Sequence, residues 1–128
     1  MERVNKITLD NGLRIITVPE PDSLATTILV LVEAGSKYET KEINGVSHFL
    51  EHMCFKGTEK RPRSIDITSE LDSIGAAYNA FTGMEYTGYF AKAQPKHLDI
   101  ILDVVSDIYL NQIFEPAEIN KERGVIIE

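Results

Sequence analysis

The stretch GVSHFLEHMCFKGT, residues 45–58, decides how the rest of this sequence is interpreted. Its apolar residues recur at helical spacing, and they are Val46, Phe49, Leu50 and Met53. This pattern predicts a helix from Gly45 to about Phe55. Because the residues between the two histidines of this segment are partly apolar, we expect the helix to be at least partly buried, its imidazoles included.

His48 and His52 are four residues apart, so on a helix they project from one face, one turn apart. Two imidazoles at this spacing can reach one ion at the ~2.0–2.1 Å that zinc prefers. Glu51 follows His48 by three residues and flanks the same face, where it can reach a metal-bound water without being a ligand. A metal acidifies such a water, and a carboxylate can take its proton during attack on a carbonyl. The segment therefore favours a metal-dependent hydrolase.

Two alternatives compete with an open catalytic site. A single helical histidine is usually an ordinary residue, as we expect for His97 at the start of a later helix, but two neighbouring buried imidazoles without a shared partner are costly. A structural zinc site is usually closed by four protein ligands, often cysteines. The one cysteine, Cys54, lies about 200° around the helix from His52 and is expected to be a small buried residue.

Five β-rich runs and four helical segments are predicted along the chain. The runs are 4–8, 13–18, 25–34, 76–81 and 86–91; beside the helix at 45–55, helices are expected at 64–75, from 95, and from 116 to the end. The nearly continuous apolar run 25–34 suggests a central strand covered on both faces, and Ser64 is the expected helix cap. Hairpins predominate, which favours an α+β fold with helices on a mostly antiparallel sheet, in a single domain of residues 1–128.

Composition narrows the class of protein. A net charge of −7 argues against nucleic acid as a partner. The basic residues between Lys56 and Arg63 are interpreted as a solvated loop. The start lacks the apolar segment of a signal peptide, and the apolar stretches are too short to span a bilayer. We therefore expect no membrane partner and, by default, a cytoplasmic location.

The string 45–58 closely resembles the M16 family of zinc metallopeptidases, whose inverted zinc motif is H-x-x-E-H. Pitrilysin, insulin-degrading enzyme and the mitochondrial processing peptidase belong to this family. Similarity extends to residues 9–14, 77–89 and 122–126. The resemblance thus covers essentially the whole chain and implies the N-terminal metallohydrolase half-domain of that family, with activity as a zinc endopeptidase.

By that resemblance His48 and His52 are zinc ligands, Glu51 is the general base, and Glu122 supports the site from behind the ligands. The family's third ligand is a glutamate seven residues after the one that Glu122 matches, which places it at position 129. Glu128 is displaced by about 120° on a helix and is expected to be a neighbour of that ligand. For Glu122 two further possibilities stay open: a weak substitute ligand, or a solvated helix charge.

The resemblance also implies that Asn79, Ala80 and Phe81 lie on an edge strand that pairs with the substrate backbone. The alternative is an ordinary hairpin in which Tyr78 and Phe81 pack on a core. Complete members carry a second similar domain, so a C-terminal domain or a second homologous subunit is an expected partner, beside the peptide substrate. We expect the isolated 128 residues to be weakly active or inactive. The competing hypothesis is a non-catalytic partner or scaffold subunit of the same fold.

Overall fold

The computed structural model describes residues 3–127 and contains an antiparallel α+β fold, as predicted. Its strands are β1 (Asn5–Thr8), β2 (Arg14–Thr17), β3 (Thr26–Val32), β4 (Ala77–Thr82) and β5 (Thr87–Ala93). Its α-helices are α1 (Val46–Cys54), α2 (Ser64–Ser73), α3 (Leu98–Leu110) and α4 (Pro116–Ile127). Short 3-10 turns occur at Ser36–Tyr38, Lys41–Ile43 and Pro95–His97.

The strands form two separate antiparallel sheets. Strands β1 and β2 pair as a hairpin, and its turn contains Gly12 at φ 87° and an Asn11 Oδ1 that accepts the Leu13 N–H at 3.0 Å. The second sheet has the order β3-β5-β4. Both hairpins expected from the turn residues are therefore present, and β4 lies at one edge of the three-stranded sheet.

The core lies between one face of the three-stranded sheet and the helices α2 and α3. Its buried side chains are Ile67, Leu71, Tyr89, Ala91, Ala93, Ile101, Val104, Val105 and Ile108, with Cys54 from α1. Burying one large aliphatic side chain contributes about 1.5–3 kcal/mol, so this layer supplies the main driving force for the fold. Within residues 3–127, no helix is long and apolar enough to cross a bilayer.

The expectation that residues 25–34 form a central strand is wrong. Strand β3 is an edge of its sheet, and along it half-buried and exposed residues alternate, with Leu29 and Leu31 50% and 56% exposed. Strand β5 takes the central place. Its small residues, among them Gly88 and Ala91, are weak strand formers by composition, so the sequence pattern underrates it.

Two local expectations also fail. Ser64 is the first residue of α2, not its cap; Arg63 precedes the helix, and Asp66 Oδ2 accepts the Arg63 N–H at 3.0 Å. In the basic segment, Arg61 is not solvated. It is 4% exposed, and its guanidinium donates to carboxylates of Glu70, Asp103 and Asp107. A loop-like composition does not reveal burial that depends on partners from two distant helices.

Candidate metal centre

The carboxylate of Glu39, which the sequence pattern did not predict as a site residue, accepts hydrogen bonds at the N-terminal end of helix α1. Gly45, at φ 89°, precedes the helix, and its N–H donates to Glu39 Oε2 at 2.7 Å. The N–H of Ser47 donates to Glu39 Oε1 at 2.9 Å. These two backbone hydrogen bonds hold the pKa of Glu39 below its ordinary value. A charged residue at the positive end of the helix stabilises the turn from which His48 projects.

The two histidines of α1 converge as their spacing predicts. The Nε2 atoms of His48 and His52 are 2.9 Å apart, and the ring planes are inclined at 86°. Two nitrogens bound to one tetrahedral zinc are about 3.3 Å apart, so widening the pair by about 0.4 Å would admit the ion. The expected burial is only partly correct, because His48 is exposed while the His52 side chain is 30% exposed.

Behind His52, Glu122 of α4 fixes the orientation of the imidazole. Its Oε1 lies 2.5 Å from His52 Nδ1, and its Oε2 lies 2.8 Å from the ammonium of Lys56. Burial acts to raise the pKa of Glu122, but hydrogen bonds from Lys56 and His52 outweigh it and hold that pKa below the ordinary value. An ionised acceptor at Nδ1 places the imidazole proton there and leaves the Nε2 lone pair facing His48.

This contact decides between the possibilities left open for Glu122. The residue is 2% exposed, so it is not a solvated helix charge. Its carboxylate is occupied on the Nδ1 side of His52, the side opposite the two converging nitrogens, so it does not act as a substitute ligand in this arrangement. A carboxylate behind a metal-binding histidine is the usual means of fixing its tautomer.

Glu51 lies between α1 and the sheet. Its Oε2 accepts a hydrogen bond from the hydroxyl of Thr82, the last residue of β4. Thr82 and Glu39 were not predicted as site residues, and Lys56 was interpreted only as part of a solvated basic loop, although it pairs with Glu122. Each of the three contributes through a contact that no local pattern encodes. The helix face thus presents two imidazoles and one carboxylate, next to the end of an edge strand.

The three residues proposed for substrate pairing lie together on that edge strand. Strand β4 pairs with β5 on one side, and Ala80 N–H donates to the Asn79 amide oxygen at 2.8 Å instead of to a strand. Phe81 is on the face opposite to Thr82, and its ring covers Gly88, where an added Cβ would come within 2.2 Å of it. Tyr78 packs on the core, so the alternative assignment is correct for Tyr78 but not for Phe81, which is 39% exposed.

An open cleft of about 420 Å³ adjoins the site, between the start of α1 and the β4–β5 turn. His48 and Thr82 line it, together with Glu39, Asn44 and Met84. The cleft is therefore continuous with the converging nitrogens on one side and with the end of the edge strand on the other. A group that lay in it would be next to His48 and Thr82.

Within residues 3–127, no cluster of three or more His, Cys, Asp or Glu side chains is positioned to hold a metal. Cys54 is 2% exposed, and burial raises the pKa of its thiol, which agrees with its predicted role as a small buried residue. The predictions for Glu128 and for position 129 lie outside the described residues. Two imidazole nitrogens, one with its tautomer fixed by a carboxylate, nonetheless form a donor set that suits zinc.

The α+β fold thus carries two converging histidines and one glutamate on a single helix face. The sequence model of the Insulinase family (peptidase family M16) matches residues 14–128, and the chain belongs to that family. Relatives of the chain are named as zinc proteases and as subunits of a mitochondrial-processing peptidase. The predicted resemblance is therefore confirmed.

Named relatives and a solved structure agree with this assignment. The chain is 42% identical over 125 residues to the "uncharacterized zinc protease YmxG" of Bacillus subtilis, covering 98% of this chain and 30% of that protein. It is 46% identical over 120 residues to the mitochondrial-processing peptidase subunit beta of Bos taurus, covering 93% and 24%. The crystal structure of a protease from Helicobacter pylori superposes with a TM-score of 0.92 at 28% identity, covering 98% and 30%. The chain thus spans less than a third of the length of these relatives.

Replacing Glu122 by Ala is expected to weaken zinc binding by about 10–100-fold, the usual effect of losing a carboxylate behind a histidine ligand. The variant frees His52 Nδ1 and leaves Lys56 without its carboxylate. Competition with a chelating dye measures the affinity. Glu118→Ala, one turn earlier on α4, removes the same charge and is expected to leave the affinity within about twofold. Equal affinities for both variants would contradict the assigned role of Glu122.

Proposed function

We propose that this chain is the metal-binding part of a zinc-dependent endopeptidase that cleaves short or unfolded peptides through its H-x-x-E-H segment. His48 and His52 are the proposed zinc ligands, and Glu51 is the proposed general base. The observation that carries the proposal is the convergence of the two Nε2 atoms to 2.9 Å on the helix face that also bears Glu51. The zinc proteases among the relatives of the chain support the choice of metal.

Zinc bound by these imidazoles supplies Lewis-acid polarisation of a carbonyl and acidifies water. Glu51 then accepts a proton from the attacking water at a carboxylate oxygen and returns it to the leaving amine nitrogen. The hydrogen bond to Glu122 holds the His52 proton on Nδ1, so that Nε2 is the ring nitrogen left to bind the metal. Lys56 balances the buried charge of Glu122, which keeps the carboxylate available to His52.

The free edge of β4 is the proposed binding place for the peptide. Pairing with an edge strand uses main-chain hydrogen bonds and reads little of the side-chain sequence, which suits unfolded substrates. Asn79, Ala80 and Phe81 form the central part of this edge. The Ala80 N–H is already satisfied by Asn79 Oδ1, so a peptide carbonyl that pairs there has to displace the amide. Until then, Asn79 keeps the edge from pairing indiscriminately.

Completion of the site is assigned to sequence beyond the described residues. A glutamate at position 129 is the proposed third ligand, one residue after Glu128 and two after Ile127, the last residue of α4. A second, similar domain or a homologous subunit is the proposed partner, consistent with relatives more than three times as long as this chain. With two protein ligands alone, zinc is expected to bind more weakly and with less fixed geometry.

Metal analysis and a cleavage assay test the proposal together. The purified protein, with any residues that follow position 128 included, is expected to contain about one zinc per chain and to cleave a fluorogenic peptide. Chelation is expected to abolish cleavage, and added zinc to restore it, because the acidified water and the polarised carbonyl both depend on the ion. The 128-residue chain alone serves as the comparison and is expected to be weakly active or inactive.

A non-catalytic partner subunit is the competing function, and the same experiment separates the two. Such a subunit would stay inactive even when its following sequence is present. Zinc bound without cleavage would contradict the endopeptidase proposal and leave a metal-binding scaffold. Cleavage that persists after the zinc has been removed would contradict the role given to His48 and His52.

A further inference from the structure

Thr82 links two parts of the proposed site. Its backbone lies at the end of β4, and its side chain contacts Glu51, the proposed base. It is the last residue of β4, and its side chain is on the half-buried face of that strand, which it shares with Tyr78 and Ala80. From there its hydroxyl donates to Glu51 Oε2 on α1. The two groups are 31 residues apart in sequence, so this contact joins the helix of the metal centre to the sheet.

The main chain of Thr82 faces the free edge. The Gly83 N–H donates to the Tyr86 carbonyl within the β4–β5 turn, so Gly83 points toward β5. Because N–H groups alternate in direction along a strand, those of Thr82 and Ala80 point the other way. The hydrogen bond from Ala80 N–H to Asn79 Oδ1, outside the ladder, agrees with this assignment. Thr82 therefore offers its backbone to a pairing peptide while its side chain holds Glu51.

A glutamate carboxylate needs such a partner if it is to act in one orientation. Its terminal torsion joins an sp³ to an sp² carbon and is broad, so no rotamer fixes the plane of the two oxygens. A hydroxyl that donates to Oε2 fixes that plane and leaves Oε1 free to accept a proton. General base catalysis depends on this orientation, because the acceptor oxygen has to be within hydrogen-bond reach of the proton.

We propose that Thr82 is a positioning residue that orients the Glu51 carboxylate and ties it to the strand edge on which the peptide pairs. This inference rests on the proposed function, since it assigns Glu51 the role of base. A peptide that pairs with the end of β4 immobilises the residue that holds the base. Substrate binding and orientation of the base are thereby linked through one side chain.

The test compares Thr82→Val, which keeps the shape but removes the hydroxyl, with Thr82→Ser, which keeps the hydroxyl. In the protein with any residues beyond position 128 included, Thr82→Val is expected to lower kcat by about 10–100-fold with KM and zinc content within about twofold of wild type. Thr82→Ser is expected to recover kcat to within about threefold. If Thr82 only supported the fold, Thr82→Val would change KM and zinc content as well as kcat. Recovery of kcat alone by the serine hydroxyl therefore indicates a positioning role.

A second readout does not depend on cleavage. In metal-free protein labelled with ¹³C at glutamate carboxyls, the Glu51 resonance is identified by its loss in Glu51→Gln. It is expected to shift in Thr82→Val and to return in Thr82→Ser. Thr27→Val, on the exposed face of β3, removes a threonine hydroxyl elsewhere in the sheet and is the matched control. It is expected to change neither readout.

The outcomes separate this inference from the proposed function. An unshifted Glu51 resonance, a wild-type kcat in Thr82→Val, or a loss that falls on KM or on zinc content would overturn the role of Thr82. If wild-type protein fails to cleave peptides while the Glu51 resonance responds as described, the proposed function fails and the contact stands. If wild-type protein cleaves and neither variant changes kcat, the proposed function stands and the inference fails.

Discussion

Glu51→Gln is expected to lower kcat for peptide cleavage by about 10²–10⁴-fold while zinc affinity stays within a few-fold of wild type. The glutamine keeps the size of the side chain and can still accept the hydrogen bond from Thr82, but it cannot take a proton from water. Because the carboxylate is not a ligand in the proposed site, the ion remains. Steady-state kinetics and metal analysis on the same preparation measure both quantities.

A matched control comes from the loop that precedes the helix. Glu42, in an exposed 3-10 turn, also loses one negative charge on replacement by Gln, and no change in kcat beyond about twofold is expected. His52→Ala gives the complementary pattern, in which zinc and activity are lost together. If Glu51→Gln lost zinc as His52→Ala does, Glu51 would act on the metal directly and not as a base. If it kept full activity, another group would be the base.

Sequence alone predicted those parts of the site that depend on one helical turn. His48, Glu51 and His52 share α1, so their relative directions follow from helix geometry and are observed. The apolar spacing fixed the helix to within a residue at each end. What this pattern could not give was burial, because the exposure of His48 depends on which elements pack above α1.

Contacts between distant residues were beyond reach of local patterns. Glu122 is 70 residues from His52, and its place behind that histidine came only from resemblance to a family. The contacts of Thr82 and Glu39 were predicted neither by local patterns nor by the resemblance. A hydroxyl or a carboxylate in a loop or strand end looks ordinary in sequence, and only folding shows that one contacts Glu51 and the other caps α1.

The sequence pattern predicted β3 as the central strand, but β5 occupies that place, and this difference has a physical explanation. Apolar and β-branched content identifies residues that suit a pleated surface, and β3 is rich in them. Position in a sheet depends instead on which strand gains partners on both sides. β5 gains them from β3 and β4 because hairpin pairing with β4 brings it between the two. Small residues in β5 let neighbouring groups such as the Phe81 ring approach closely.

Arg61 is another residue whose contacts with distant residues no local pattern predicted. Its replacement is expected to have a large effect on stability. Its Nε and Nη2 donate to both oxygens of Glu70 at 2.6 and 2.9 Å. Nη2 also donates to Asp103 at 2.7 Å, and Nη1 to Asp107 at 2.8 Å. The Thr58 hydroxyl adds a bond to Asp107 at 2.6 Å. One arginine thus connects the loop after α1 to α2 and α3, the two helices that cover the core.

The carboxylates around Arg61 also set a direction for acid sensitivity. Hydrogen bonds from Arg61 hold the pKa values of Glu70 and Asp103 below their ordinary range. For Asp107 burial acts to raise the pKa, but bonds from Thr58, Asn111 and Arg61 outweigh it. Since these folded-state values are below the unfolded values of about 4, the unfolded chain takes up protons first. Their contribution to stability is present above the unfolded-state pKa values and is lost as the pH falls through the lower folded-state pKa values.

Arg61→Met is expected to lower the free energy of unfolding by about 3–5 kcal/mol at neutral pH. The substitution leaves Asp107, which is 5% exposed, as a buried carboxylate without its cation. In a chain of this length the melting temperature should fall by roughly 10–20 °C. Because the removed guanidinium is the largest cause that lowers the pKa values of Glu70 and Asp103, the loss of stability as the pH falls from about 5 to below about 4 should be smaller in the variant than in wild type. Thermal and urea unfolding at several pH values measure both effects.

Arg63→Met is the matched control, because it removes the same group two residues later. The Arg63 side chain is 73% exposed and pairs only with Asp66 among the described residues, three positions further along. An exposed pair of this kind contributes at most about 1 kcal/mol. If both variants lost the same free energy of unfolding, burial of the Arg61 guanidinium would not be what holds the loop to α2 and α3. If Arg61→Met were as stable as wild type, apolar packing would replace the ion pairs, as it can where desolvation of the charges outweighs their attraction.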